Sequence, residues 1–187
     1  MITAKSIHSI KFFWQSLFIL LIFFLSITDG IAQDNAPVKF GKVTTEDFTV
    51  ISPAIDSSSN AVTIFDKADV SFIGNKTGWF SYVLKRSTRI KILNKKGFDL
   101  ATVNLRLYKD KDSKEKVENL TGITYNLENG AIAAVKLNSK DVFEEKNDKE
   151  HYSKKFTMPA VKEGSIIEYS YTIKSDYTFN LPSWEFQ

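Results

Sequence analysis

Residues 80–92 read FSYVLKRSTRIKI, and this stretch decides the fold class because its apolar and polar side chains alternate. A period of two is typical of a half-buried β-strand, in which successive side chains point to opposite faces. The apolar face carries Phe80, Tyr82, Leu84, Ile90 and Ile92. The pattern places the polar set, Ser81, Lys85, Ser87, Arg89 and Lys91, on the opposite face, and it predicts a break near residues 86–88.

A second stretch, residues 166–175, shows the same alternation. Its apolar members are Ile167, Tyr169, Tyr171 and Ile173, opposite Glu168, Ser170, Thr172 and Lys174. Glu168 is therefore predicted to lie on the polar side of its strand, either exposed or paired across strands. A functional carboxylate is the less favoured interpretation.

Turn signals separate these strands. Asn94 and Gly97 predict a tight reversal, and the phase change after it predicts a β-bulge near residues 101–102. The Asn129-Gly130 pair predicts a hairpin, with residues 132–137 as the returning strand. The charged segments 109–118 and 141–151 are predicted to be a solvated loop and a loop or short helical turn. Short strands separated by turn residues predict an all-β protein, an antiparallel β-sandwich.

The start of the chain is typical of a secretory signal peptide. Residues 17–25 form an unbroken apolar run after a segment with two lysines, and Gly30-Ile31-Ala32 supplies a small-x-small exit. We expect cleavage after Ala32; an uncleaved anchor is the alternative, but the apolar run is short for a span. The predicted organisation is a signal peptide at 1–32, a leader at 33–47 and a sandwich at 48–187, exported to the periplasm or outside the cell without a stable membrane anchor.

Composition restricts the chemistry. The chain has no cysteine, which excludes disulfides, a thiol nucleophile, a lipid-modified cysteine anchor and a cysteine zinc site. A formal net charge of +3 gives no support to nucleic-acid binding. Of the two histidines, His8 lies in the signal segment, and His151 stands in a charged run without a nucleophile-elbow motif. We predict no catalytic, cofactor-binding or metal-binding residues, and therefore no enzyme activity.

Aromatic residues are the remaining candidates for binding. Alternation predicts that Trp79, Tyr82, Tyr169 and Tyr171 pack in the core. Trp184 and Phe186 are different because they stand at the end of the sequence, where nothing follows to cover them. They are predicted to face a partner and to favour self-association.

Several motifs, taken together, resemble a known family. They are Lys39-Phe-Gly-Lys-Val43, Asn60-Ala-Val62, Arg89-Ile-Lys-Ile-Leu-Asn94 with Gly97, the run FTMPAVKEGSIIEY at residues 156–169, and Trp184-Glu-Phe-Gln187. This order resembles the domain of unknown function that lies N-terminal to a transglutaminase-like core in exported bacterial proteins. The resemblance agrees with the β-sandwich.

The resemblance implies a cell-envelope module that accompanies a downstream or separate transglutaminase-like or peptidase-like domain. The catalytic residues of that domain lie beyond Gln187, so no site residue is carried over, and the sandwich is expected to be truncated at its C-terminal end. Two other classes remain open: a glycan- or peptide-binding sandwich that uses exposed aromatics, and a stand-alone hydrolase. Neither ligand nor oligomeric state follows from the sequence.

Overall fold

The computed structural model describes residues 39–49 and 58–182. Within them the chain forms eight strands: β1 (Ala61–Gly74), β2 (Phe80–Ile92), β3 (Thr102–Tyr108), β4 (Lys116–Glu128), β5 (Ala131–Lys136), β6 (Val142–Lys146), β7 (His151–Thr157) and β8 (Ile166–Ser175). Three short 3-10 helices cover Glu46–Thr49, Lys95–Ala101 and Ser139–Asp141. The predicted all-β class is confirmed.

The strands form two antiparallel sheets, a five-stranded sheet in the order β1-β2-β8-β4-β5 and a three-stranded sheet in the order β3-β7-β6. Apolar side chains from both sheets form one core, which confirms the sandwich. Among its members are Tyr82, Leu84, Ile90, Ile92, Leu105, Leu107, Tyr152, Phe156, Ile167, Tyr171 and Ile173. We call the face of the larger sheet that carries these residues the inner face and the opposite face the outer face.

The two strands predicted most clearly are neighbours. β2 pairs with β8 along residues 82–91, so Arg89 lies opposite Glu168 and Ile90 opposite Ile167. The predicted break near residues 86–88 is wrong, because β2 runs without interruption. Arg86 and Thr88 stay in the strand because both bond to Asp66 on β1, with Arg86 Nε 2.9 Å and Thr88 Oγ1 2.8 Å from its carboxylate.

The turn predicted at Asn94–Gly97 is not a hairpin. The Asn94 side chain caps the 3-10 helix Lys95–Ala101 by accepting a hydrogen bond from the Lys96 N–H at 2.9 Å. The chain then crosses to the other sheet, where β3 pairs with β7. The bulge predicted at residues 101–102 is therefore wrong, since the phase change marks the end of this helix.

The predicted hairpin at Asn129-Gly130 is confirmed. Both residues have positive φ, 51° and 79°, the combination that a tight hairpin turn requires. β4 and β5 pair antiparallel on either side of it.

The charged segments were predicted less well. Residues 142–146 form strand β6 instead of a loop, and His151 is the first residue of β7. In the other segment Glu115 is buried, although the residues before it are mostly exposed. Charge alone therefore did not identify loops here. The signal segment, Trp184 and Phe186 lie outside the described residues.

Candidate functional site

The most deeply buried charges in the described residues form a pair between β2 and β8. The side chains of Arg89 and Glu168 have no exposed surface, and Arg89 Nη2 lies 2.7 Å from Glu168 Oε1. Arg89 Nε donates a second bond to the same oxygen at 3.0 Å. The alternation placed Arg89, Lys91 and Glu168 on the polar face of their strands, but all three are buried, so exposure is wrong for each of them. The alternative of cross-strand pairing is confirmed for Glu168.

The pair holds the segment of residues 39–49 against the outer face. Arg89 Nη2 donates to the carbonyl oxygens of Lys39 at 3.1 Å and Lys42 at 2.9 Å. The Gly41 N–H donates to Glu168 Oε2 at 2.8 Å. Gly41 has a φ of 77°, a conformation that glycine adopts without steric cost. We call these contacts the Arg89–Glu168 clamp.

Further groups complete the clamp. Asp47 Oδ2 lies 3.4 Å from Arg89 Nη1, and the ammonium of Lys91 donates to the carbonyl oxygen of Phe48. The Phe65 ring lies under the guanidinium, with its centroid 5.2 Å from Arg89 Cζ. The positive charge is thus surrounded by acceptors and an aromatic face, which offsets the cost of removing it from water.

Tyr125 contacts the clamp from β4. Its hydroxyl donates to Glu168 Oε2 at 3.3 Å. Burial, and then the negative charge of Glu168, raises the pKa of Tyr125 to about 12. The hydroxyl therefore stays protonated and acts as a donor, which matches a structural role.

Three motifs behind the family resemblance meet at this clamp. Gly41 belongs to the first of these motifs, Arg89 to the third, and Glu168 to the long run ending at Tyr169. The motifs are far apart in sequence, so only folding brings them together. In this structure the contacts among Gly41, Arg89 and Glu168 hold residues 39–49 on the sheet.

A second buried carboxylate, that of Glu115, contacts the segment that follows β8. Tyr82 Oη donates to Glu115 Oε1 at 2.7 Å, and the Tyr108 N–H donates to Oε2 at 2.7 Å. Asn180 approaches the same carboxylate, with Nδ2 3.4 Å from Oε1, and its carbonyl oxygen accepts a bond from Tyr82 at 3.2 Å. Tyr152 donates to the Glu115 carbonyl oxygen.

Sequence reasoning missed Glu115 because it assigned the residue to a neutral, solvated loop. The local signal that could have found it is weak: Glu115 directly precedes a strand, in a segment whose other charges alternate in sign. Burial, and then the negative charges of Glu144 and Glu115, raise the pKa of Tyr152 to about 12. Glu168 and Glu115 are therefore alike in that each buried carboxylate accepts a hydrogen bond from a tyrosine hydroxyl, Tyr125 and Tyr82 respectively.

The third feature is exposed and apolar. Residues 70–80, which we call the hairpin tip, carry five large apolar side chains in contact with solvent: Val70, Phe72, Ile73, Trp79 and Phe80. Val70 and Phe72 pair with Leu84 and Tyr82, so they share the inner face, yet they are 47% and 55% exposed. β1 is an edge strand of the larger sheet. The structure thus leaves an apolar strand end without a described element over it.

Trp79 corrects one prediction. It was expected in the core with Tyr82, Tyr169 and Tyr171, but it lies in the turn between β1 and β2 and is 67% exposed. Tyr82 and Tyr171 are buried and Tyr169 is half-buried, as predicted. The turn itself is fixed by Asn75, whose side chain accepts from the Trp79 N–H at 2.9 Å.

The other titratable residues that sequence analysis considered are scattered. His151 pairs with Asp148, its Nδ1 lying 3.0 Å from Oδ1, and Glu144 pairs with Lys114 at 3.3 Å. Glu145 and Glu150 are exposed. Within the described ranges, no group of three or more histidine or acidic side chains could hold a metal ion. No helix in the same residues is long and apolar enough to cross a bilayer.

Comparison with known proteins identifies a family. The family model described as a domain of unknown function with a solved structure (DUF3857) matches residues 80–186, more than half of the 187-residue chain. No curated protein matches the sequence. The chain is also similar to the crystal structure of a "putative protease" from Parabacteroides distasonis ATCC 8503, with a TM-score of 0.48 and 12% identity. That likeness covers 63% of this chain and only 23% of the other.

Proposed function

This chain belongs to the DUF3857 family, and from that premise we propose that it is a non-catalytic, exported envelope module that supports a transglutaminase-like or peptidase-like domain. The family resemblance supplies the kind of partner. In this proposal the module contributes a docking surface and a rigid attachment, and the chemistry belongs to the partner domain.

The observation that carries the proposal is the hairpin tip. Five exposed apolar side chains within one short hairpin are unusual on a protein surface that stays in water, and such patches mark interaction sites. Interfaces that remain permanently covered are more apolar than transient ones. A domain of the same polypeptide or a stable partner fits this chemistry better than a passing contact.

The buried charges support a structural role for the rest of the module. Arg89, Glu168 and Glu115 are all engaged in contacts that fix chain segments. A catalytic carboxylate needs access to substrate, whereas the side chains of Arg89 and Glu168 have no exposed surface. These groups serve the fold and hold residues 39–49 and 176–182 in place.

The test pairs this chain with a transglutaminase-like or peptidase-like domain encoded beside it. The two are produced together and separately, and binding and melting temperature are measured. We expect Phe72→Thr with Phe80→Thr to weaken binding at least tenfold, because both rings lie at the hairpin tip. Phe143→Thr is the matched control, since Phe143 is 63% exposed on β6 of the other sheet.

Equal weakening by the control variant would contradict docking through the hairpin tip. Absence of any such coding sequence beside this chain, or turnover of a peptide or glutamine-donor substrate by the purified chain alone, would contradict the accessory role.

A second candidate function is binding of a glycan or peptide. Trp79 and Phe179 favour it, because they are 67% and 77% exposed and aromatic rings stack on sugars and apolar side chains. Retention of the purified protein on a cell-wall polysaccharide column tests it. Loss of retention in Trp79→Ala, with retention unchanged in Phe143→Thr, is the expected result for this alternative.

A further inference from the structure

A polar cavity of about 570 Å³ lies beside the turn between β1 and β2. One wall of the cavity is formed by residues of this turn, including Lys76. Another is formed by Lys114, just before β4, and Lys116, the first residue of β4. Lys174 of β8 completes a set of four lysines. The volume is in the range of pockets that hold small organic ligands.

Strand register places part of this cavity on the outer face. Lys116 and Lys174 lie directly opposite each other on β4 and β8. They alternate with Val117 and Ile173, which point into the core, so both lysines point the other way. Side chains that face each other in this manner have Cβ atoms about 4.5–5.5 Å apart, and like charges at that spacing are destabilising.

Neither of these two ammonium groups takes part in an ion pair with another described residue. Among the ion pairs of residues 39–49 and 58–182, none includes Lys116, Lys174 or Lys76. Lys114 differs, because it pairs with Glu144 at 3.3 Å and its Nζ lies 5.0 Å from the Tyr152 ring centroid. Two exposed lysines that face each other across strands without forming an ion pair are a local conflict in an otherwise consistent sheet.

Two carboxylates also line the cavity, and they do not cancel the lysines. Asp176 accepts a hydrogen bond from the hydroxyl of Ser81, which is fully buried. Glu118 lies two residues after Lys116 and opposite Thr172, so it does not face Lys174 directly. Because Lys114 is already paired with Glu144, three lysines stand against two carboxylates, and this excess of positive charge favours an anionic ligand.

We propose that this cavity binds an oxyanion-bearing ligand of about the size of a sugar phosphate. Its anionic group lies between Lys116 and Lys174, and Lys76 contacts it from the turn. Lysine acts as a point charge and does not select one planar geometry, so phosphate, sulfate and carboxylate groups share the required chemistry. The cavity adjoins the hairpin tip and shares Lys76 with it, but this inference does not depend on the accessory role because it uses the lysines and none of the apolar rings.

The first experiment measures melting temperature and binding heat with defined probes. Inorganic phosphate, sulfate, glucose 1-phosphate and galacturonate are titrated into the purified protein at constant ionic strength, with neutral glucose and sodium chloride as controls. We expect the anions to raise the melting temperature and the controls to leave it unchanged. The ranking of the four anions distinguishes phosphate, sulfate and carboxylate sources. Equal effects of sodium chloride and the probes would overturn the proposal.

The second experiment separates a binding role from a structural one. Lys116→Met and Lys174→Met each remove one charge while keeping a long side chain, and Lys96→Met is the control at an exposed position outside the cavity. We expect each cavity variant to raise the dissociation constant of the best probe about tenfold, the loss of a charge-assisted bond.

The same two variants have a second readout. Without added anion they should melt at a higher temperature than the wild type, because the repulsion is removed. A dissociation constant that changes equally in Lys96→Met would contradict the proposed site. A lower anion-free melting temperature in both cavity variants would contradict the repulsion on which it rests.

Discussion

The two ends of the β1–β2 hairpin have opposite surroundings although they belong to the same pair of strands. At one end, residues 88–92 of β2 are all buried, and residues 39–49 lie over the outer face. At the other end, residues 67–74 of β1 are all exposed, although Ser81, Tyr82 and Leu84 beside them on β2 are buried. Both ends carry the alternation of a half-buried strand, so periodicity alone predicts the same burial at both.

The comparison shows that burial follows from what covers a strand and not from its pattern. Arg89 and Lys91 are buried because chain segments and carboxylates surround them, whereas Val70 and Phe72 remain exposed because no described element reaches them. A covered polar residue and an uncovered apolar one are both exceptions to simple patterning, and such exceptions are expected at functional or strained sites. Three predictions test this contrast, and a fourth tests a turn elsewhere in the larger sheet.

The largest effect is expected at the covered end. Glu168→Gln leaves the Arg89 guanidinium buried without its closest counter-charge, and breaking a buried pair from one side costs about 3–5 kcal/mol. We expect the free energy of unfolding, measured with urea, to fall by about 3 kcal/mol, since Asp47 remains near Arg89 at 3.4 Å. Glu145→Gln, at an exposed position, is the control and should change little. A loss below about 1 kcal/mol in Glu168→Gln would show that the clamp is not a stabilising contact.

A smaller loss of stability is expected at Gly130, which lies in the β4–β5 turn and away from the β1–β2 hairpin. Valine in place of Gly130, whose φ is 79°, forces a branched side chain into the left-handed region, at a cost of about 1–2 kcal/mol. Lys111→Ala, in an exposed segment, should change stability by less than about 0.5 kcal/mol. Thermal unfolding of both variants gives the comparison, and equal shifts would argue against the turn conformation.

The clamp also predicts a pH dependence. The pKa of Tyr125 is raised to about 12 by burial and by Glu168, compared with an ordinary value of 10.0. A folded-state pKa above the unfolded one gives stability that is complete below about pH 10 and lost as the pH rises towards 12. Tyr125→Phe removes the bond to Glu168 and should cost about 1 kcal/mol near neutral pH. The difference in the free energy of unfolding between Tyr125→Phe and the wild type should then narrow above about pH 10. A constant gap across that range would contradict the assignment.

The smallest stability effect is expected at the hairpin tip. Phe72→Thr removes an exposed ring, and threonine favours the β conformation. The free energy of unfolding should therefore change by no more than about 0.5 kcal/mol. Its solubility should improve, because an exposed apolar edge favours association. Urea unfolding together with sedimentation gives both quantities. A stability loss of more than about 2 kcal/mol would mean that Phe72 is covered in solution.

The sequence by itself determined the strands with strict alternation and the Asn129-Gly130 hairpin, because side-chain period and turn chemistry are local properties of the chain. The family resemblance agreed with this fold, and the partner domain that it implies stays a prediction. Asn94-Lys-Lys-Gly97 shows the limit of local signals: the same residues suit a reversal or a capped 3-10 helix, and contact with Asn60 at Gly97 belongs to the folded state.

Only the tertiary structure decided which charges are buried and which apolar residues are exposed. Arg89, Glu168 and Glu115 look like ordinary surface residues in the sequence, because their partners lie up to 127 positions away. The lysine pair at Lys116 and Lys174 likewise exists only through the β4–β8 register. Periodicity assigns a side chain to a face, but whether that face meets solvent depends on distant segments that fold onto it.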